Sequence, residues 1–228
     1  MNPNSTINNP EKWISPLERI GYARPSKPMN MTPKTTMDNE LQPHLERLFD
    51  SFCTGIRSKK AVKPKQFLEA HALDFQKLNI GFNSGQFHHR KDDVWRQPYI
   101  DMGILTPSDA PVNRPELKAY TCFGTYGVVF PLKDPTGKVV NLFAIRINLE
   151  TEKEEYLNEE GIYPEYPSPL TRTLFITPTV MEAASILQSG TLEGKEAVMA
   201  LQDGKWLPQH DQAIKDLNRL EHVILLKN

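Results

Sequence analysis

The final third of the chain constrains the fold most. Three short apolar runs, LFIT (174–177), EAVMAL (196–201) and HVILL (222–226), alternate there with two stretches of helical spacing. The first stretch, Thr179 to Gln188, carries Val180, Ala183, Ala184 and Leu187 at intervals of three and four, and Gly190 follows it. The second, around Gln209–Leu220, places Ile214 and Leu217 inward. Short strands alternating with helices of about ten residues predict a βαβαβ unit with a parallel sheet and right-handed crossovers. In such sheets ligands sit at the carboxyl ends of the strands. Here those ends are Thr177-Pro178, Gln202-Asp203-Gly204 and Lys227-Asn228.

The preceding residues follow a different pattern. YGVVFPL (126–132) and KVVNLFAIRI (138–147) are β-branched runs on either side of Asp134-Pro135-Thr136-Gly137, which predicts an antiparallel hairpin. Leu45, Leu48, Phe49 and Phe52 predict a helix over 41–52. Residues 1–40 hold six prolines and no apolar periodicity, the composition of a mobile leader. Seven acids against Lys153 over 150–165 suggest a solvated linker, since the run lacks the small turn residues and alternation of a calcium loop. IGFNSGQFHHRKDD, from Ile80, is irregular; its His88 and His89 have no third ligand nearby in sequence to make a metal site.

Charge narrows the function classes. Lys and Arg number 27 against 28 Asp and Glu, a net charge of −1, so any binding to nucleic acid must come from a local patch. Arg57, Lys59, Lys60, Lys63 and Lys65 form one, five cations in nine residues, ahead of a short helix over 66–71. It reads either as the solvated start of a helix or as a phosphate-contacting edge. The two cysteines, Cys53 and Cys122, lie 69 residues apart with no C-x-x-C, which excludes a disulfide framework and an ordinary zinc ribbon. No run approaches the length of a membrane span, and the first residues lack the plan of a secretory signal, so the expected setting is the cytoplasm, away from membranes.

From about Ser58 onward, roughly three quarters of the chain, the residues resemble the catalytic core of DnaG-type primases, specifically the Toprim-containing primase-like proteins of bacterial mobile elements. The matching pieces are SKKA (58–61), IGFNSGQFHH (80–89), FPLKDPTGKVVNLFAIR (130–146), YLNEEGIYPEYP (156–167), LFITPTVMEAASILQ (174–188) and the closing LNRLEHVILLKN. IGFNSGQFHH and GIYPEYP are the most specific. The resemblance implies an α/β chain divided into a leader (1–40), a mixed α+β primase-core portion (41–169) and a partial Toprim-like parallel unit (170–228).

It also implies a degenerate site. In that family a glutamate follows the first Toprim strand and an Asp-x-Asp follows the third, and these acids hold divalent ions for nucleotidyl transfer. The glutamate position matches Pro178, which has no ligand atom; it also suits a helix start with Thr177 as its cap. Glu182 matches the family's helix aspartate, and the first aspartate of Asp-x-Asp matches Asn228, before the second is reached. Asp203 matches a loop glycine and offers a displaced carboxylate. Arg146 retains the family's arginine on the second hairpin strand, Glu155 replaces a lysine before YLN, and the family's zinc-binding module has no counterpart.

The implied metal is at most a weakly held Mg²⁺ at Glu182 and Asp203, with no zinc. The implied nucleic-acid contacts are Arg57, Lys59, Lys60, Lys63, Lys65 and Arg146, with single-stranded DNA and a helicase or other replication protein as partners. The expected function is a primase-derived binding protein without nucleotidyl transfer. The alternatives are an active primase nucleotidyltransferase and a Toprim metal-dependent nuclease that uses Glu182 and Asp203.

Overall fold

The computed structural model describes residues 5–7, 38–89, 91–109, 119–148 and 152–226. Most of the leader, together with Glu150, Lys227 and Asn228, lies outside the described residues. By its internal contacts the chain divides into two compact units, one of residues 1–36, 132–138 and 159–228 and one of 37–131 and 139–158. Residues 159–169 group with the parallel unit because Ile162 and Tyr163 are buried in it, Tyr163 bridging to Ala200.

In the first of these units β8 (Thr173–Thr177), β9 (Glu196–Ala200) and β10 (His222–Leu225) form a parallel sheet in the order β10-β8-β9. The register sets Leu174 against Ala197 on one side and Val223 on the other. Helices α4 (Val180–Ser189) and α5 (Pro208–Lys215) are the two connections. The βαβαβ expectation holds. Leu174, Ile176, Met199, Ala213, Ile214, Leu217 and Val223 belong to one buried cluster, which includes the Ile214 and Leu217 that the helical spacing placed inward. A fourth strand, β1 (Ser5–Ile7), pairs antiparallel with β10, so three residues of the leader are an edge strand.

The second unit is built on α1 (Gln42–Arg57), whose Leu45, Leu48, Phe49, Phe52 and Ile56 form one buried stripe. Helix α2 (Val62–Ala70) and strand β2 (Gly81–Asn83) follow, then α3 (Asp93–Asp101), β3 (Leu105–Ser108) and β4 (Ala119–Cys122), the two strands pairing antiparallel. Strands β5 (Gly127–Lys133) and β6 (Val139–Arg146) are the predicted hairpin. Asp134 Oδ1 closes its turn by accepting from the backbone of Thr136 and Lys138, and Gly137 supplies a φ of 85°.

The sheet order is β2-β5-β6-β7, and β7 (Lys153–Tyr156) lies inside the acidic run expected to be a linker. Burial of one end of the run explains the difference. Tyr156 stacks on Phe143 at 4.6 Å between centroids, while Glu154 and Lys153 keep their charges exposed. Two glycines allow α1 to lie directly on β2. A Cβ at Gly81 would stand 2.6 Å from Phe52 Cβ, and one at Gly55 would stand 2.9 Å from the Phe82 carbonyl oxygen.

Candidate strand-edge site and nucleic-acid interface

In the parallel unit the carboxyl edge of the sheet is assembled by backbone hydrogen bonds. Leu201 N donates to Thr177 O and Gly204 N donates to Pro178 O, each at 2.8 Å, which draws the loop of Gln202-Asp203-Gly204 to the start of α4. Gln202 is buried and donates to the Glu160 carbonyl at 3.2 Å. Asp203 stands exposed at a φ of 52°, a left-handed position that aspartate tolerates better than most residues.

Glu182 has a structural duty here. Its Oε2 accepts from Thr179 N at 3.1 Å while Thr179 Oγ1 accepts from Glu182 N at 3.3 Å, a reciprocal capping box. The cap is therefore Thr179, not Thr177, because only Thr179 stands three residues before the glutamate. Thr177 Oγ1 instead donates to the Thr179 carbonyl at 2.9 Å.

These donors do not fit a two-metal centre. Pro178 offers no side-chain ligand, Glu182 commits an oxygen to the helix cap, and octahedral Mg²⁺ demands several converging oxygens. Among the described residues no three His, Cys, Asp or Glu side chains gather into a group able to hold an ion. His88 is buried in an aromatic cluster with Phe87, His89 and Tyr120, and burial lowers its pKa to about 4. Burial raises both cysteine thiols, Cys53 to about 11, so neither is a ready nucleophile.

In the other unit the basic cluster separates into groups. Arg57, Lys59, Lys60 and Lys63 are exposed. Lys65 is not available in the same way: its Nζ donates to the Ser58 carbonyl at 2.9 Å and lies 5.5 Å from the Phe75 ring centre, tying α2 back to the end of α1. Arg146, at the end of β6, is half-buried, and its Nε has no hydrogen-bond partner.

Lys60 and Lys63 line a cleft of about 670 Å³ between the C-terminal half of α1, the start of α2 and the loop after β2. Arg57, Lys59, Lys65 and Arg146 do not line it. Helix α2 starts at this cleft without a side-chain cap and without an acid in its first turn.

Sequence reasoning missed this cleft, although IGFNSGQF contributes much of its wall through Phe82, Asn83, Ser84, Gln86 and Phe87. Asn83 is the local signal. Its Oδ1 accepts from Gly85 N at 2.8 Å, an Asx turn with Gly85 at a φ of 78°, and its Nδ2 donates to the Phe123 carbonyl at 2.7 Å. Tyr126 completes the wall from the β4–β5 turn. Glu155 fixes that turn by accepting from Gly124 N at 2.6 Å, so this acid acts as a backbone anchor.

No protein-family model and no curated protein matches the sequence significantly. Solved structures do match. The DnaG primase catalytic domain bound to single-stranded DNA superposes with a TM-score of 0.61 at 17% identity, covering 80% of this chain and 61% of that one. The chain has the fold of the DnaG primase catalytic core. The E. coli primase catalytic core gives a TM-score of 0.61 at 17% identity, with 80% and 60% covered. The RNA polymerase domain of Mycobacterium tuberculosis DnaG in complex with double-stranded DNA gives 0.60 at 11%, with 80% and 61% covered. This chain thus spans about 60% of the length of these primase domains. Among the described residues no helix is long and apolar enough to cross a membrane.

Proposed function

We propose that this chain is a primase-like protein of mobile-element replication that binds single-stranded nucleic acid and does not itself carry out nucleotidyl transfer. The observation that supports it best is the engagement of Glu182 in a helix cap next to Pro178, which leaves the strand edge short of free carboxylates. Each Mg²⁺ brings two charges and a triphosphate about four, so a two-ion centre needs several acids at one edge. Fold and local charge support the binding half of the reading: Arg57, Lys59, Lys60 and Lys63 are exposed with no acid paired to them among the described residues. Its partners in this reading are single-stranded DNA and a helicase or other replication protein, in the cytoplasm.

Labelled ribonucleotide incorporation on single-stranded templates with Mg²⁺ or Mn²⁺ is expected to stay at background. Robust synthesis abolished by Glu182→Gln/Asp203→Asn would overturn the proposal and make those two acids metal ligands. Metal-dependent cleavage of the template, lost in the same double variant, would favour the nuclease reading.

The binding surface has its own test. Each phosphate neutralised contributes about 0.7–0.9 to the salt slope, so Lys59→Ala/Lys60→Ala/Lys63→Ala is expected to reduce the slope by roughly two. Fluorescence titrations at several salt concentrations measure it. An unchanged slope would remove these lysines from the interface.

A further inference from the structure

The cleft beside Lys60 and Lys63 has an unusual lining for a surface hollow. It holds four aromatic rings, Phe52, Phe82, Phe87 and Tyr126, and two cations, and no acid. Exposed large apolar side chains are few among the described residues, and two of them, Val62 at 53% and Tyr126 at 44%, line this one cleft. Exposure of that kind, concentrated at a concave site, marks a place built for a ligand with an apolar face.

Tyr126 adds a second and independent observation. Its φ is 53°, a left-handed conformation uncommon for an aromatic residue and costly to hold. The turn is held on several sides. Thr125 Oγ1 donates to the Cys122 carbonyl at 2.7 Å, Ile147 N donates to the Tyr126 carbonyl at 3.1 Å, and Glu155 accepts from Gly124 N. A Cβ on Gly85 would stand 2.7 Å from Thr125 Cγ2, so the loop after β2 packs tightly against the same turn. A strained, clamped backbone that leaves its ring half in solvent is preorganised for contact with something outside the chain.

We infer that this cleft receives an unstacked base of a single-stranded nucleic acid against Tyr126 and its aromatic neighbours, with the adjoining phosphates at Lys60 and Lys63. The inference rests on the proposed function and deepens it. Aromatic stacking with a tracking positive charge is a sequence-tolerant way to hold a single strand. A duplex, whose bases are already stacked and paired, presents no free face to such a cleft. The site therefore selects single strands, whereas the exposed lysines alone would attract either form.

The test uses the full chain and a single-stranded oligonucleotide carrying one 2-aminopurine, with a duplex of the same sequence and a free mononucleotide as comparisons. Binding of the single strand is expected to quench the probe. Tyr126→Ala is expected to weaken single-strand binding about tenfold, within the range of one lost stacking contact, and to relieve the quench. The salt slope and duplex affinity should stay unchanged. Tyr126→Phe should retain both affinity and quench, which separates loss of the ring from damage to the turn.

Unchanged affinity and quench in Tyr126→Ala would overturn the cleft proposal while leaving the proposed function standing. A mononucleotide that competes as well as the oligonucleotide would overturn the single-strand assignment. A wild-type chain that binds no nucleic acid would overturn the proposed function itself, before any variant is compared.

Discussion

Acidification from pH 6.5 to 4 is expected to cost the parallel unit roughly 3 kcal/mol through His210 alone. His210 is 0% exposed, and its burial lowers its pKa from 6.5 to about 4. Its Nδ1 accepts from Leu207 N at 3.0 Å at the start of α5, so the proton of the neutral ring sits on Nε2, which has no partner. Between the two pKa values the unfolded chain binds a proton that the native chain does not. Stability therefore falls as pH drops through 6.5 and levels off below about 4.

His88 acts in the same direction in the other unit, where burial comes first and the nearby His89 and Arg96 charges add to it. Urea unfolding midpoints at pH 7, 5.5 and 4.5 measure the effect. His210→Asn keeps an acceptor for Leu207 N and removes the titration, so it should flatten its share of the profile. A wild-type profile no steeper than that of the variant would refute a neutral, buried His210.

Asn141→Leu is expected to destabilise the chain by about 3 kcal/mol or more, because it removes hydrogen bonds from buried backbone groups. Asn141 is 0% exposed. Its Oδ1 accepts from Leu142 N at 2.7 Å and Asn158 N at 3.0 Å, and its Nδ2 donates to the Asn158 carbonyl at 2.8 Å. Asn158 returns the contact by donating from Nδ2 to the Val140 carbonyl at 2.9 Å. The pair laces β6 to the chain just beyond β7, past the Phe143–Tyr156 rung that ends the β6–β7 register. Leucine matches the volume but leaves two donors and an acceptor in a place with little access to water. Chemical denaturation of the purified variant measures the loss, and a change below 1 kcal/mol would show that water reaches these groups.

The parallel unit was legible in the sequence because its information is local. The spacing of Val180, Ala183 and Ala184 sets one helical face, and Ile214 and Leu217 mark the inward side of the next connection. The same holds for the hairpin, whose Asp-Pro-Thr-Gly turn closes through Asp134 and Gly137 within five residues. The basic cluster and the strand-edge residues were equally visible as residue types. Their duties were not: the sequence offers Glu182 as a carboxylate, and only the backbone around Thr179 makes it a capping group.

Tertiary structure alone decided the rest. Strand β7 forms inside an acidic run of poor strand propensity because Tyr156 finds Phe143 across the ladder, a partner 13 positions away. The cleft draws its walls from residues 51–64, 82–87 and 126, which meet because Gly55 and Gly81 let α1 settle on β2 without intervening side chains. Periodicity records which face of an element is apolar, and short motifs record turns and caps. Neither records which distant element arrives opposite, since that depends on packing among segments far apart in the chain.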